Sequence, residues 1–268
     1  MRRPLTFTSE DDTLVGTLDD GHRRTGLLIV TGGAQIRVGA HGGQAALAAR
    51  VAAAGFPVFR FDRRGIGDSD GADPGFRGSG PDIAAAAAAF RAEQPGMQWM
   101  VGFGLCDGAA ALALHHRAAG FDGLLLANPW AVETEPGLPP PAAIRRRYSQ
   151  RLISPTAWGR LLRGEINLAK AARGLNAAAR PQAAGLANEI AAALAASSAS
   201  VSILLASDDA TALAFTAEYR GRKFAELRKS GRARCLTLAS RSHSFAPAAD
   251  ANWLAGAVIS ALEEREPA

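Results

Sequence analysis

Gly102-Phe103-Gly104-Leu105-Cys106-Asp107-Gly108-Ala109-Ala110 joins two kinds of pattern in this sequence. A strand-like run, residues 98–103, enters the stretch, and a helix-like run, residues 107–119, leaves it. At the join stands glycine, any residue, cysteine, any residue, glycine. A sharp strand-to-helix turn forces the chain back on itself, so the positions two before and two after its apex must lack bulk. The apex side chain then projects above the sheet edge at the positive end of a helix. That side chain is the thiol of Cys106, which is read as a nucleophile.

The flanking sequence supplies alternating elements. Residues 5–8 and 14–18 read as an opening hairpin around Glu10-Asp11-Asp12. Residues 26–31, 57–62, 123–127, 201–206 and 233–239 read as strands, several of them apolar throughout, as in strands covered on both faces. Residues 42–54, 82–94, 211–229 and 250–264 read as helices. Strands alternating with helices give a mostly parallel central sheet with helices on both faces. The alternation breaks at the proline-rich stretch 136–141, and residues 142–196 read as helical without a strand. The expected organisation is an α/β core in two parts, 1–135 and 199–268, with a helical cap inserted at 136–198.

Composition narrows the function classes. The 268 residues are 48% apolar and 21% charged, enough apolar content for a sizeable core and too little charge for disorder. The net charge of +5 comes from arginines scattered among acids, without the basic stripe or module of a nucleic-acid binder. Two cysteines, Cys106 and Cys235, give no disulfide framework, and no apolar run has the length of a membrane span. A cytoplasmic, reducing location is the expectation, and it keeps the thiol available. No metal-ligand spacing, phosphate loop or dinucleotide fingerprint is present, so no metal or cofactor is expected.

A thiol attacking a carbonyl needs a base, a group that orients the base, and donors for the oxyanion. The run 201–206 ends in Ser207-Asp208-Asp209, and the run 233–239 ends in Ser240-Arg241-Ser242-His243. An acid thus follows one late strand and a histidine the next, in the order nucleophile, acid, base. His243 is the candidate base. Either Asp208 or Asp209 can face it. Asp209 is preferred, and the other acid is expected to cap the following helix. The oxyanion donors are expected to be the amide of Asp107 and the amide of Ala34 or Gln35, in the loop after the run 26–31.

These residues resemble the α/β-hydrolase superfamily. Asp62-Arg63-Arg64-Gly65-Ile66-Gly67-Asp68-Ser69 matches its D-x-R-G-x-G-x-S loop, and the elbow, late acid and late histidine extend the match over most of the chain. The chain more closely resembles the exosortase-A-system-associated hydrolases of type 1, found in bacteria that pair extracellular polysaccharide production with protein sorting. That resemblance is carried by Thr31-Gly32-Gly33-Ala34-Gln35-Ile36-Arg37-Val38-Gly39-Ala40-His41, by the Gly-x-Cys-Asp-Gly elbow, and by the stretch from Arg146 to Trp158. Its cysteine nucleophile is also similar to that of dienelactone hydrolases. The resemblance implies an α/β-hydrolase fold and a hydrolase or acyltransferase acting on an ester, thioester or lactone.

For the substrate, Arg37 and His41 lie in the loop that carries the oxyanion donor, and Trp130 is a candidate apolar wall. The expected cap holds Arg145, Arg146, Arg147, Arg151, Arg160, Arg163, Lys170, Arg173 and Arg180 against Glu165, a bias that would draw an anionic acyl or saccharide-derived molecule. The rival reading is a hydrolase-like scaffold that binds such a ligand, or a partner protein, without turnover.

Overall fold

Residues 28 and 30 face one way and residues 27 and 29 the other, yet all four are apolar, because the strand that carries them is covered on both sides. The computed structural model describes residues 1–132 and 185–266. Eight strands form one sheet: β1 (Arg2–Ser9), β2 (Asp12–Asp19), β3 (Thr25–Val30), β4 (Val58–Phe61), β5 (Trp99–Leu105), β6 (Gly123–Ala127), β7 (Ser200–Ala206) and β8 (Ala233–Leu238). Their spatial order is β1-β2-β4-β3-β5-β6-β7-β8. The first hairpin pairs antiparallel from Arg2 opposite Asp19 to Ser9 opposite Asp12. β2 runs antiparallel to β4, and the remaining neighbours are parallel.

Period-two alternation splits the core between two faces. On one face Leu28, Val30, Phe59, Leu124, Leu126 and Ile203 pack under α3 (Gly80–Glu93) and α4 (Asp107–Ala119), with Phe90 and Leu112 fully buried. On the other, Leu27, Ile29, Phe103, Leu125 and Leu204 pack under α1 (Gly43–Ala53) and the last helix, α8 (Ala248–Glu263). A short α2 (Gly75–Gly78) precedes α3. Burying each large side chain in these clusters stabilises the fold by roughly 1.5–3 kcal/mol before entropy is subtracted.

Two findings depart from the sequence reading. The expected helix 211–229 is broken: α6 (Ala210–Arg220) stops at Gly221, which is extended at φ −73° and ψ −179°. A 3₁₀ turn, Arg222–Phe224, and α7 (Ala225–Lys229) follow. The break returns Phe224 to the core, where its ring lies 5.6 Å from that of Phe215 and 5.6 Å from that of Tyr219. In addition, α5 (Gly185–Ala195), which the expected cap boundary included, buries Leu186, Ile190 and Leu194 in the same cluster as Leu112. The cap stretch 136–184 lies outside the described residues. Among the described residues, no helix is long and apolar enough to cross a membrane.

The strand order puts β4 on one side of β3 and β5 on the other. In open parallel sheets the crevice at such a reversal, at the carboxyl ends of the strands, is where ligands bind. Here it lies between the loop after β3 and the Cys106 turn after β5.

Candidate active site

Cys106 occupies the turn predicted for it. β5 runs two residues further than the apolar pattern suggests, to Leu105, and α4 starts at Asp107. Cys106 sits between them at φ 59° and ψ −123°, a conformation non-glycine residues rarely adopt. Such a backbone costs on the order of 1–3 kcal/mol and persists only where its surroundings enforce it. They do so here through hydrogen bonds. The Cys106 amide donates to the Ala127 carbonyl at 3.0 Å, and its own carbonyl accepts from Ala110 at 3.2 Å and Trp130 at 3.0 Å. A Cβ on Gly104 would lie 2.6 Å from the Gly108 carbonyl oxygen, and one on Gly108 would lie 2.6 Å from that of Val30. Both glycines are therefore required by backbone contacts.

His243 reaches this turn from the loop after β8. Its Nδ1 lies 3.1 Å from Asp209 Oδ2, and its ring also hydrogen-bonds the Cys106 side chain. The hydrogen bond to Asp209, followed by that to Cys106, raises the imidazole pKa from its ordinary value to about 10, against the opposing effect of burial. The ring therefore stays protonated at neutral pH.

Asp209 is buried, and the same Oδ2 accepts the Ala212 amide at 2.9 Å. One carboxylate thus caps α6 and faces the histidine. The expectation that the two jobs fall to different acids is overturned, because the Asp209 side chain lies over the first turn of α6 while still reaching His243. Asp208 instead joins the loops by its backbone, its amide donating to the Ser240 carbonyl at 2.8 Å.

Several supporting groups were not visible in the sequence pattern. Asn128, fully buried just past β6, donates from Nδ2 to the His243 carbonyl at 2.8 Å and accepts the Ala206 amide on Oδ1 at 2.9 Å. It fastens the histidine loop to β7. An asparagine ending the apolar run 123–127 was the available signal. The Asp107 carboxylate accepts the Gly33 amide at 2.7 and 2.8 Å, and buried Arg63 donates to the Gly33 carbonyl. The loop after β3 is thereby held on both sides of one residue.

The oxyanion candidates separate. The Asp107 amide lies at the first position of α4, where helix amides have no partner within the helix. The Gln35 amide donates to the Gly32 carbonyl at 3.3 Å, and its side-chain oxygen accepts the Ala40 amide at 3.1 Å. The Ala34 amide has no acceptor among the described residues.

The expected substrate contacts are scattered. Arg37 pairs with buried Asp62 and, at 2.8 Å, with Asp68, and it donates to Thr17 at 3.1 Å. It borders a cavity of about 300 Å³ with Arg2 and Arg60 beside β2 and β4, so its charge serves that loop rather than the cysteine. His41 lines a different cavity, of about 140 Å³, with Leu105 and Ser244. Trp130 is half-buried against the core beside the elbow. Arg147 and the other basic residues of the expected cap lie outside the described residues.

A family model described as serine aminopeptidase, S33, matches residues 28–174, more than half of the chain. The chain belongs to that family. This S33-family hydrolase has the α/β-hydrolase fold, and solved structures of that fold superpose over nearly its whole length. An esterase of Pyrococcus furiosus aligns with TM-score 0.67 and 14% identity, covering 100% of this chain and 94% of its own. An esterase of Butyrivibrio proteoclasticus with bound ferulic acid aligns with TM-score 0.64 and 13% identity, over 97% and 98%. A lidless serine hydrolase of Xanthomonas campestris aligns with TM-score 0.61 and 15% identity, over 100% and 96%. A comparison with curated proteins gave no match.

In this S33-family hydrolase the raised His243 pKa has a consequence for stability. A histidine whose pKa rises on folding stabilises the fold fully below its unfolded pKa, about 6.5, and the contribution fades as pH climbs through the folded value. The ring is partly exposed, so solvent screens part of the effect. The melting temperature of the wild type should exceed that of His243→Gln most near pH 6, and the gap should close as pH passes about 10. A gap that widens with pH would contradict a protonated ring in the folded state.

Proposed function

We propose that the chain hydrolyses an ester, thioester or lactone through an acyl-cysteine intermediate, with Cys106 as nucleophile, His243 as acid and base, and Asp209 as the residue that orients and charges the imidazole. The supporting observation is one ring joined to both a buried carboxylate and the thiol at a strained turn.

Cys106 attacks the substrate carbonyl as the thiolate, beside the protonated His243 ring. The oxyanion is held by the Asp107 and Ala34 amides. The tetrahedral species collapses, and the leaving alkoxide or thiolate takes the proton from His243. Cys106 is then acylated and the imidazole neutral. Water attacks the thioester while His243 accepts its proton. Collapse releases the carboxylic acid and restores the thiolate and imidazolium. A second acceptor in place of water would make the same cycle an acyl transfer.

The motifs shared with exosortase-A-system-associated hydrolases support a link to extracellular polysaccharide production and exosortase systems, and the basic stretch 145–180 supports a cap that draws an anionic acyl or saccharide-derived substrate. The test is to mix the protein with p-nitrophenyl esters and acyl thioesters, quench within one turnover, and weigh the Cys106 peptide. An acyl adduct on Cys106 is the expected result. Turnover with an adduct elsewhere, or none, would refute the assignment.

A further inference from the structure

The cavity of about 140 Å³ beside the candidate active site lies between α1, α8, the sheet and the histidine loop. Leu47, Phe103, Leu105, Phe245 and Leu254 make it largely apolar. Leu105 adjoins Cys106 in the chain and Ser244 adjoins His243, and Cys106 packs against the same apolar cluster as Leu47, Phe103, Leu105, Phe245 and Leu254.

His41, Arg50 and Ser244 add polar groups to the lining, and a fourth polar residue is buried in it. Gln44, in the first turn of α1, is 5% exposed, and neither its Oε1 nor its Nε2 has a hydrogen-bond partner among the described residues. A buried amide left unpaired on both atoms is costly, and native structures rarely keep one. Its stem is fixed. A Cβ at Gly39 would lie 2.6 Å from Gln44 Cγ, so this glycine at φ 72° packs directly against the side chain.

We infer that this cavity receives the acyl tail of the substrate and that Gln44 reads a neutral donor-and-acceptor group at its far end, such as a primary amide. The inference rests on the hydrolase reading above. A cavity of this volume is close to the roughly 150 Å³ that accommodates benzene, so the tail beyond the carbonyl has about six non-hydrogen atoms. The walls take its methylenes. A primary amide presents an acceptor oxygen and a donor NH2 group, the complement of the oxygen and NH2 that Gln44 offers.

The test compares p-nitrophenyl 4-carbamoylbutanoate with its apolar isostere, p-nitrophenyl 5-methylhexanoate. A pocket built around a polar group rejects the analogue that leaves that group unpaired. The wild type should favour the amide ester by about 10- to 100-fold in kcat/KM. Gln44→Leu should remove or reverse that preference. Ala251→Leu, which narrows the cavity without touching Gln44, should lower kcat/KM for both esters relative to p-nitrophenyl acetate. Melting temperature and iodoacetamide labelling of Cys106 confirm that each variant is folded.

Equal wild-type rates on the two esters, or a preference that survives Gln44→Leu, would overturn the inference and leave the hydrolase reading standing. The Gln44 amide would then hold buried water only. A preference for the glutarate half-ester would also overturn it, assigning the cavity to a carboxylate facing Arg50. Failure to hydrolyse any ester, with Cys106 still labelled, would refute the hydrolase reading itself and the inference with it.

Discussion

Replacing Cys106 with alanine should lower kcat/KM by about 10⁴-fold or more on every substrate, because a nucleophile and its base act as a unit. Cys106→Ser is the more telling variant. The family description refers to a serine enzyme, so a hydroxyl at this turn would superficially restore the expected chemistry. The environment argues otherwise. The pKa of His243 is raised first by Asp209 and then by Cys106 itself, so the serine variant loses part of that support and must also ionise a hydroxyl, a far weaker acid than a thiol. A thiol can give up its proton to such a ring and remain nucleophilic as the thiolate, whereas serine relies on a neutral imidazole. Cys106→Ser should therefore fall by about 10³-fold or more while its melting temperature stays near that of the wild type. Steady-state kinetics and thermal unfolding check both halves. A serine variant as active as the wild type would remove the case for an ion-paired thiol.

The second large effect is at Asp209, where one carboxylate serves two structures. Asp209→Asn keeps an oxygen that can accept the Ala212 amide, and asparagine caps helices about as well as aspartate. The cap should survive, so the stability lost near neutral pH should be the share that comes from pairing the carboxylate with charged His243. The negative charge opposite His243 disappears, so the imidazole pKa should fall and kcat/KM should drop by as much as about 10⁴-fold. Asp209→Ala should be equally inactive and also less stable by about 1 kcal/mol, the usual cost of a lost cap. Histidine NMR titration, chemical denaturation and kinetics separate the two roles. If Asp208→Asn is the damaging change and Asp209→Asn is tolerated in activity, the acid has been misassigned.

The elements that could be read from the sequence are those set by local steric need or by a repeating pattern. The glycines at 104 and 108 are dictated by backbone contacts within a few residues of Cys106 or with the neighbouring strand, and the doubly covered strands show as unbroken apolar runs. The late acid and histidine were legible as types following strands. What could not be read depends on side chains meeting across long sequence separations. Asn128 holds a carbonyl 115 positions away, and nothing local to it indicates that partner. Arg37 looked available for a ligand, but Asp62 and Asp68 pair with it where their loop folds over the one after β3. The dual use of Asp209 depends on how the loop after β7 rotates, which two adjacent identical acids cannot reveal. The break at Gly221 follows from the demand of Phe224 for burial, which outweighs helical periodicity.

The bond pair from the Asp107 carboxylate to Gly33 ties the loop after β3 to the residue that follows the nucleophile. Cys106 and the Asp107 and Ala34 amides proposed to hold the oxyanion thus belong to one body made from the early strands, whereas Asp209 and His243 arrive with β7 and β8. Complementation between two separately expressed fragments follows as a design. An early piece alone would leave bare the face that α8 covers, so hydrolysis would report both the docking of β7 along β6 and the return of α8 to α1.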